Sequence, residues 1–188
     1  MEFIVALKQQ ARQIIELNDQ LNSKTHTWDQ ENSAPDDGFP DRAGFILYNR
    51  DDNNSDIELY TDTFIGENDS TGMVRARLSW TPADDDSLFT IMTLDFSTDR
   101  QKTKSVTANK SELTYKTLTE LLNDQTTVPK LIHVSLNAGK DVKGSTVGKR
   151  YEYDADRIAI LTASEQAEFL RTFAEAYDQI TSKSVLLK

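Results

Sequence analysis

The chain has 188 residues, no cysteine, a hydrophobic fraction of 37% and a formal net charge of −10 at pH 7. This length suits one domain with a sizeable core, and the hydrophobic fraction argues against global disorder. The missing cysteine excludes disulfides, thiolate catalysis and cysteine-based zinc or iron–sulfur sites.

A helix is predicted at the N-terminus, because apolar residues recur at helical spacing between residues 2 and 22. The same stretch lacks a basic leader and a continuous apolar core, so it does not resemble a secretory signal. No apolar run approaches the roughly 18 residues that a membrane-spanning helix needs. We therefore expect a cytoplasmic protein without a membrane segment.

Residues 23–44 are predicted to form a long loop, because they are polar, contain two prolines and show no strand or helix period. Loops of this length in compact domains are usually functional or disordered. Trp28 stands in this polar setting, and tryptophan often anchors protein interfaces because it buries a large area. The alternative is that Trp28 folds back onto the sheet and pins the loop.

Four strands are predicted next, and short polar segments typical of hairpin loops separate the last three. Along the third strand, Arg75 and Arg77 alternate with apolar residues, as expected of a strand with one buried face. The fourth strand is the most apolar, which favours a central position. These strands are predicted to form an antiparallel meander. Their ranges are 45–49, 56–66, 73–80 and 87–97.

In the second half of the chain, the spacing of apolar residues changes several times between helical and strand periodicity. Asn109 and Glu112 have the spacing of a capping box and predict the start of a second helix. Thr162 and Glu165 repeat that spacing before a helical stripe that predicts the last helix. Between these helices we predict a strand at 129–137, a basic glycine-containing loop at 137–150, and a strand within 151–162 centred on 158–161.

The predicted order is therefore helix, four strands, helix, two strands, helix, or α-ββββ-α-ββ-α. Sequential strands flanked by helices are typical of the α+β class. We expect a mainly antiparallel sheet, made of a four-strand meander plus two further strands, with three helices on one face. The whole chain, 1–188, is expected to form a single domain with the long polar loop at 23–44.

The stretch DDNNSDIELYTD has the length of a calcium-binding EF-hand loop. Asp51, Asn53 and Ser55 fit its first, third and fifth ligand positions. Asp56 replaces the glycine that makes the sharp turn, and Asp62 replaces the bidentate glutamate. We therefore predict a solvated turn and no bound cofactor. A looser calcium site on Asp51, Asn53 and Ser55 remains the alternative.

Other catalytic motifs are incomplete. Gly139 and Gly144 have the spacing of a phosphate-binding loop, but Ser145 stands where the lysine belongs. His26 and His133 are far apart in the sequence, and no G-x-S-x-G elbow supports a Ser–His–Asp triad. We predict that neither histidine is catalytic. A triad assembled in space and a mixed carboxylate metal site both remain open.

A metal-dependent nuclease needs carboxylates that hold Mg²⁺ and a lysine near the phosphate. Asp95, on the predicted central strand, and Lys102 beyond it are the nearest candidates. They are seven residues apart, and no acid-x-lysine pair lies on the strand. A phosphodiester hydrolase is therefore retained only as an alternative.

Charge is distributed unevenly along the chain. Residues 29–86 contain fifteen acids and four bases, a net of −11, whereas residues 100–150 contain four acids and ten bases, a net of +6. The simplest interpretation is solvated surface, or two surfaces that attract each other. The acids predicted to bind a partner, with the tryptophan, are Trp28, Asp36, Asp37, Asp41, Asp51 and Asp52. The bases predicted to form a basic surface are Arg75, Arg77, Arg100, Lys102, Lys104, Lys149 and Arg150.

The leading hypothesis is a soluble, non-enzymatic interaction protein that presents an acidic, loop-rich face to a protein partner. The overall negative charge works against nucleic-acid binding. The first alternative is a metal-dependent hydrolase with a carboxylate site, of the phosphodiester class. The second alternative is a small-molecule binding domain.

Overall fold

The computed structural model describes residues 2–22, 27–32, 43–50, 57–67, 71–108, 115–125 and 129–188. The helices in this part are α1 (Glu2–Asn22), α2 (Arg100–Ala108), α3 (Tyr115–Leu122), α4 (Ala155–Ile160) and α5 (Ala163–Lys183), followed by a 3-10 helix (Val185–Leu187). The strands are β1 (Thr27–Asn32), β2 (Ala43–Arg50), β3 (Ile57–Glu67), β4 (Gly72–Trp80), β5 (Leu88–Thr98), β6 (Lys130–Val142) and β7 (Ser145–Asp154). No helix in these ranges is long and apolar enough to cross a membrane.

The seven strands form one antiparallel sheet with the spatial order β1-β2-β3-β4-β5-β6-β7, so each strand pairs with its neighbours in sequence. The structure confirms the α+β class and the antiparallel meander. The element order within the described residues is α-βββββ-αα-ββ-αα, which differs from the predicted order by one more strand and two more helices.

The alternation along β4 determines which face of the sheet is buried. Ala76, Leu78 and Trp80 are at most 3% exposed, whereas Arg75 and Arg77 between them are half-buried. Because successive residues of a strand point to opposite faces, the first set lies on the core face and the second on a polar face. The prediction for this strand is therefore confirmed.

Helices α1 and α5 supply the other layer of the core. Leu7 of α1 and Phe169 of α5 are fully buried in the same cluster as the apolar face of the sheet. The rings of Phe3 and Phe169 meet edge to face at 6.1 Å, which joins the two helices. Thr162 and Glu165 form the predicted capping box at the start of α5. The two helices with the clearest sequence signals thus both pack into the core against the sheet.

The predicted loop at 23–44 contains β1, so this part of the prediction is wrong. Residues 27–32 pair in register with β2, and Trp28 lies opposite Leu47. An edge strand is held by backbone hydrogen bonds to a single neighbour, so a polar sequence without alternation can join the sheet. Residues 23–26 and 33–42 lie outside the described part of the chain.

Helix α2 has no counterpart in the prediction. The carboxylate of Asp99 accepts a hydrogen bond from the backbone N–H of Lys102 at 2.9 Å, which satisfies one of the free donors at the helix start. Asp99 thus caps α2. Because this helix is mostly polar, its sequence shows no clear apolar periodicity from which to predict it. The predicted start of the next helix, with Asn109 and Glu112, lies outside the described residues, and α3 begins at Tyr115.

The strand predicted within 151–162 is also wrong in its position. Strand β7 ends at Asp154, and α4 follows directly. The side chain of Asp154 accepts a hydrogen bond from the backbone N–H of Arg157 at 2.8 Å and caps this helix. Apolar residues around Ile158 that resembled a strand therefore belong to a short helix.

The segment predicted as a basic loop is a β-hairpin. Lys143 and Gly144 have φ angles of 51° and 80°, the left-handed conformation expected of a two-residue hairpin turn. A Cβ at Gly148 would lie 2.2 Å from the carbonyl oxygen of Ala138, so only glycine allows β6 and β7 to pair this closely. These glycines permit strand pairing, whereas the sequence analysis took them as signs of a loop.

We expect Leu7→Ala to lower the free energy of unfolding by about 3 kcal/mol, because it removes fully buried methyl groups and leaves a cavity. The measurement is urea denaturation followed by circular dichroism. Val5→Ala is the matched control on the same helix, since Val5 is 56% exposed, and it should change stability by less than about 0.5 kcal/mol. Equal losses in the two variants would contradict the assignment of the buried face of α1.

Candidate functional site

Asp95 lies at the centre of the polar face and is only 4% exposed. The strand register places it opposite Arg75 of β4 and His133 of β6. Arg75 Nε and Nη2 donate hydrogen bonds to the two carboxylate oxygens of Asp95 at 2.7 and 2.8 Å. Two parallel bonds of this kind are among the strongest side-chain interactions in proteins. The positive charge of Arg75 therefore balances the negative charge of the buried Asp95.

The register of β5 against β6 brings His133 beside Asp95. The pairing runs without a shift from Leu88 opposite Lys140 to Asp95 opposite His133, and a β-bulge beyond this pair leaves Ile132 without an opposite residue. His133 Nδ1 lies 3.5 Å from an oxygen of Asp95, and Nε2 lies 4.0 Å from an oxygen of Glu152 on β7. Each ring nitrogen thus faces a carboxylate of a neighbouring strand. This placement suits a group that links strands electrostatically.

The pKa of Asp95 reflects two opposing effects, its burial and its contacts with Arg75 and His133. Burial alone raises the pKa, but the hydrogen bonds and positive charges of Arg75 and His133 outweigh it and hold the pKa below its usual value. Asp95 is therefore ionised at neutral pH, with both oxygens hydrogen-bonded by Arg75. A carboxylate in this state is a poor proton acceptor, because general bases work best with a pKa near the operating pH.

The bases predicted as one surface are distributed over separate elements. Lys102 Nζ donates to a carboxylate oxygen of Asp124 at 2.7 Å, and Arg150 Nη2 donates to Glu152 at 2.7 Å. Lys102, which the nuclease hypothesis paired with Asp95, thus contacts a different acid. The elements are β4 for Arg75 and Arg77, α2 for Arg100, Lys102 and Lys104, and β7 for Lys149 and Arg150.

The predicted acidic residues and weak metal candidates fall outside the described residues, and Trp28 is described only through its backbone in β1. Among the described residues, no group of three or more His, Cys, Asp or Glu side chains could hold a metal ion. The predicted positions therefore remain predictions. The residues concerned are Asp36, Asp37, Asp41, Asp51, Asp52, Asn53 and Ser55.

Chain topology defines the end of the sheet at which connection 81–87 joins β4 to β5. In an antiparallel meander, successive connections leave from opposite ends and every second connection shares an end. Arg50, the last residue of β2, pairs with Ile57, the first residue of β3, at this same end.

We name the end of the sheet at connection 81–87 the acidic end, because this connection contributes Asp84, Asp85 and Asp86. The sequence predicted a hairpin loop at 81–86, but its acids were not among the residues predicted to bind a partner. Three consecutive acids in one short connection are the signal that could have found them. Asp84 and Asp86 are exposed.

Asp85 connects the acidic end to the β6–β7 hairpin. Its carboxylate accepts from the backbone N–H of Ser87 at 3.1 Å and from Lys140 Nζ at 3.0 Å. The backbone N–H of Asp141 donates to the carbonyl oxygen of Ser87 at 2.8 Å. The Ser87 hydroxyl and then Lys140 lower the pKa of Asp85. The acidic and basic parts of the sequence meet here.

A cleft of about 540 Å³ lies beside connection 81–87, against the end of α5. Trp80, Leu88 and Val185 contribute to its apolar walls. Glu58, which is 6% exposed, accepts hydrogen bonds from Trp80 Nε1 at 3.1 Å and from the backbone N–H of Val185 at 3.0 Å. Glu58 thereby fixes the C-terminal 3-10 helix against the sheet and shapes the cleft.

We expect Asp95→Asn to lower the free energy of unfolding by about 3 kcal/mol at pH 7, because it leaves the charge of Arg75 without its carboxylate. Arg75 is 21% exposed, which places the loss at the lower end of the range for buried pairs. Asp86→Asn, at an exposed acid, is the control and should change stability by less than about 0.5 kcal/mol. Urea denaturation measures both.

The same pair has a defined pH dependence. Because the pKa of Asp95 is lower in the folded state than its unfolded value of about 3.9, its contribution is present above that pH. The contribution is lost as pH falls from about 4 through the folded pKa. The difference in unfolding free energy between wild type and Asp95→Asn should therefore shrink below about pH 4. A difference that stays constant from pH 7 to pH 3 would contradict this.

No protein-family model, no curated protein and no solved structure matches the chain.

Proposed function

We propose that the protein is a non-enzymatic interaction protein and that its acidic end binds a basic surface of a protein partner. The observation that carries the proposal is connection 81–87, where Asp84 and Asp86 are exposed on either side of Asp85 at one end of the sheet. Like charges gathered there repel one another, and a basic partner relieves this repulsion and is attracted from a distance. We place this role in the cytoplasm, as the sequence predicts.

The use of Asp95 and His133 supports a role without catalysis. Both oxygens of Asp95 accept hydrogen bonds from Arg75, and the two nitrogens of His133 face Asp95 and Glu152. Proton transfer and metal binding need a side chain with a free oxygen or nitrogen directed at the ligand. These groups are directed at each other, which fits the stabilisation of a sheet.

A second candidate is a small-molecule binding domain, which the cleft beside Trp80 favours. Its volume of about 540 Å³ lies within the range of small-molecule sites, roughly 300 to 1,000 Å³. The two functions share Asp84, which lines the cleft, but they differ in their other residues. Binding at the cleft would depend on Trp80 and Leu88, whereas binding of a basic partner depends on the exposed Asp86.

The leading proposal is tested by reversing the charge of two exposed acids. Chemical cross-linking in an extract of the source cells, followed by mass spectrometry, identifies the partner, and calorimetry with the purified partner gives the affinity. Asp84→Lys combined with Asp86→Lys should weaken binding by about tenfold or more, because two attractive charges become repulsive. Added salt should weaken the wild-type complex more than that of the variant.

The matched control is Glu2→Lys combined with Asp156→Lys. Both residues are exposed, they lie on α1 and α4, and the change in net charge is the same. This control should keep its affinity within about twofold, since its charges are away from the acidic end. Equal weakening in both double variants would show that net charge alone matters, and it would overturn the proposed site.

Metal ions provide a separate prediction. Because position 6 of the calcium-loop pattern lacks glycine and position 12 lacks glutamate, Ca²⁺ and Mg²⁺ should leave the melting temperature unchanged within about 1 °C. Differential scanning fluorimetry with each ion and with chelator measures this. A saturable rise of several degrees would favour the hydrolase alternative, since a ligand that binds only the folded state must stabilise it.

A further inference from the structure

Strand β7 is one edge of the sheet, and part of that edge is open. Among the strands that the structure describes, it pairs only with β6, and residues 145–150 are all exposed. Within the described part of the chain, the backbone groups of 145–150 make no hydrogen bond outside the pairing with β6. An edge strand of this kind offers a row of free N–H and C=O groups to another strand.

The open part of the edge has a definite length. Further along β7, the hydroxyl of Tyr151 donates to Glu168 of α5 at 3.0 Å, and Asp154 caps α4. Helices therefore occupy the end of the strand but leave 145–150 open. Six residues of strand span about 20 Å, which matches an extended peptide segment of about six residues.

The hairpin that carries this edge is basic. Residues 140–150 contain four bases and one acid, a net of +3 in a chain of net −10. Lys149 and Arg150 lie on the open part of β7, and the side chain of Arg150 is 72% exposed. Val142 and Val147, 45% and 62% exposed, add apolar surface. The edge therefore favours a partner strand with acidic and apolar side chains.

The hairpin is also held in place before any partner arrives. Lys140 is bonded to Asp85, and the backbone N–H of Asp141 is bonded to the carbonyl of Ser87. The close approach at Gly148 keeps the two strands tightly paired. A rigid edge loses less conformational entropy on binding than a flexible segment would.

We infer that the edge of β7 from Ser145 to Arg150 is a docking site for an extended acidic segment of a partner protein, which adds to the sheet as an eighth strand. Backbone hydrogen bonds hold the segment, and carboxylates on its two faces meet Lys149 and Arg150, which point to opposite faces of the sheet. Two copies of this edge repel each other because both are basic. A nucleic acid offers no peptide backbone to the edge, and the overall charge of −10 opposes it.

The test uses a fluorescein-labelled, end-capped peptide of eight residues in which pairs of valines alternate with pairs of glutamates, so that each face of the added strand carries both residue types. Fluorescence anisotropy should show saturable binding to the wild-type protein. A peptide with lysine in place of glutamate should bind at least about tenfold more weakly, and so should the double variant Lys149→Glu with Arg150→Glu towards the original peptide. The matched control, Lys116→Glu with Arg171→Glu, changes two exposed helical bases by the same charge and should bind like wild type.

Backbone methylation separates strand addition from simple charge attraction. Methylating alternate peptide nitrogens removes the donors on one edge of the peptide, and methylating the other set removes those on the opposite edge. Strand addition requires that one set abolish binding and that the other be tolerated. Equal binding of both methylated peptides would overturn the inference, because only charge would then be recognised.

Two further measurements complete the test. A single-stranded oligonucleotide that binds more tightly than the acidic peptide would overturn the choice of a protein segment. Sedimentation velocity that shows a wild-type dimer and a monomeric Lys149→Glu, Arg150→Glu variant would instead identify a second copy as the occupant. The variant Asp84→Lys with Asp86→Lys should keep its affinity for the acidic peptide, so this site and the acidic end can fail independently.

Discussion

Burial of one face of the sheet beneath α1 and α5 is the constraint on which the other features depend. Ala76, Leu94 and Val134, from three neighbouring strands, are at most 1% exposed on this face. Because strand side chains alternate with a period of two, a slip of one residue would expose this set to solvent. The register that buries these residues also sets Arg75 opposite Asp95 on the other face.

The location of each charge in the sheet determines whether a partner can reach it. Asp95 and Glu58 are buried within the sheet and accept hydrogen bonds from the protein's own groups. Asp84 and Asp86 lie in a connection and are exposed. A buried charge must be paired because desolvation is costly, whereas an exposed charge keeps its hydration and can meet an external charge. Recognition is therefore expected at the ends and edge of the sheet.

The acidic end and the open edge of β7 are neighbours. The hairpin turn at Lys143 leaves the sheet at the same end as connection 81–87, because the two are alternate connections of the meander. The ion pair between Lys140 and Asp85 marks where the two surfaces meet. The end of the sheet is thus negative at connection 81–87 and positive at the hairpin of β6 and β7. One partner surface with the opposite charge pattern could engage both sites in a single orientation.

The sequence by itself determined the α+β class, helices α1 and α5, the cap at Thr162 and the alternation of β4, because periodicity and capping are local chemistry. Tertiary structure alone decided that the polar residues 27–32 form a strand. Backbone pairing with β2 holds this strand, although its sequence has no apolar alternation that would predict it. It also decided the contact between Asp95 and His133, which depends on the register of β5 against β6. The ion pair between Asp85 and Lys140 depends on the same strand pairing. Such contacts join residues far apart in the chain, and no local pattern records which strands become neighbours.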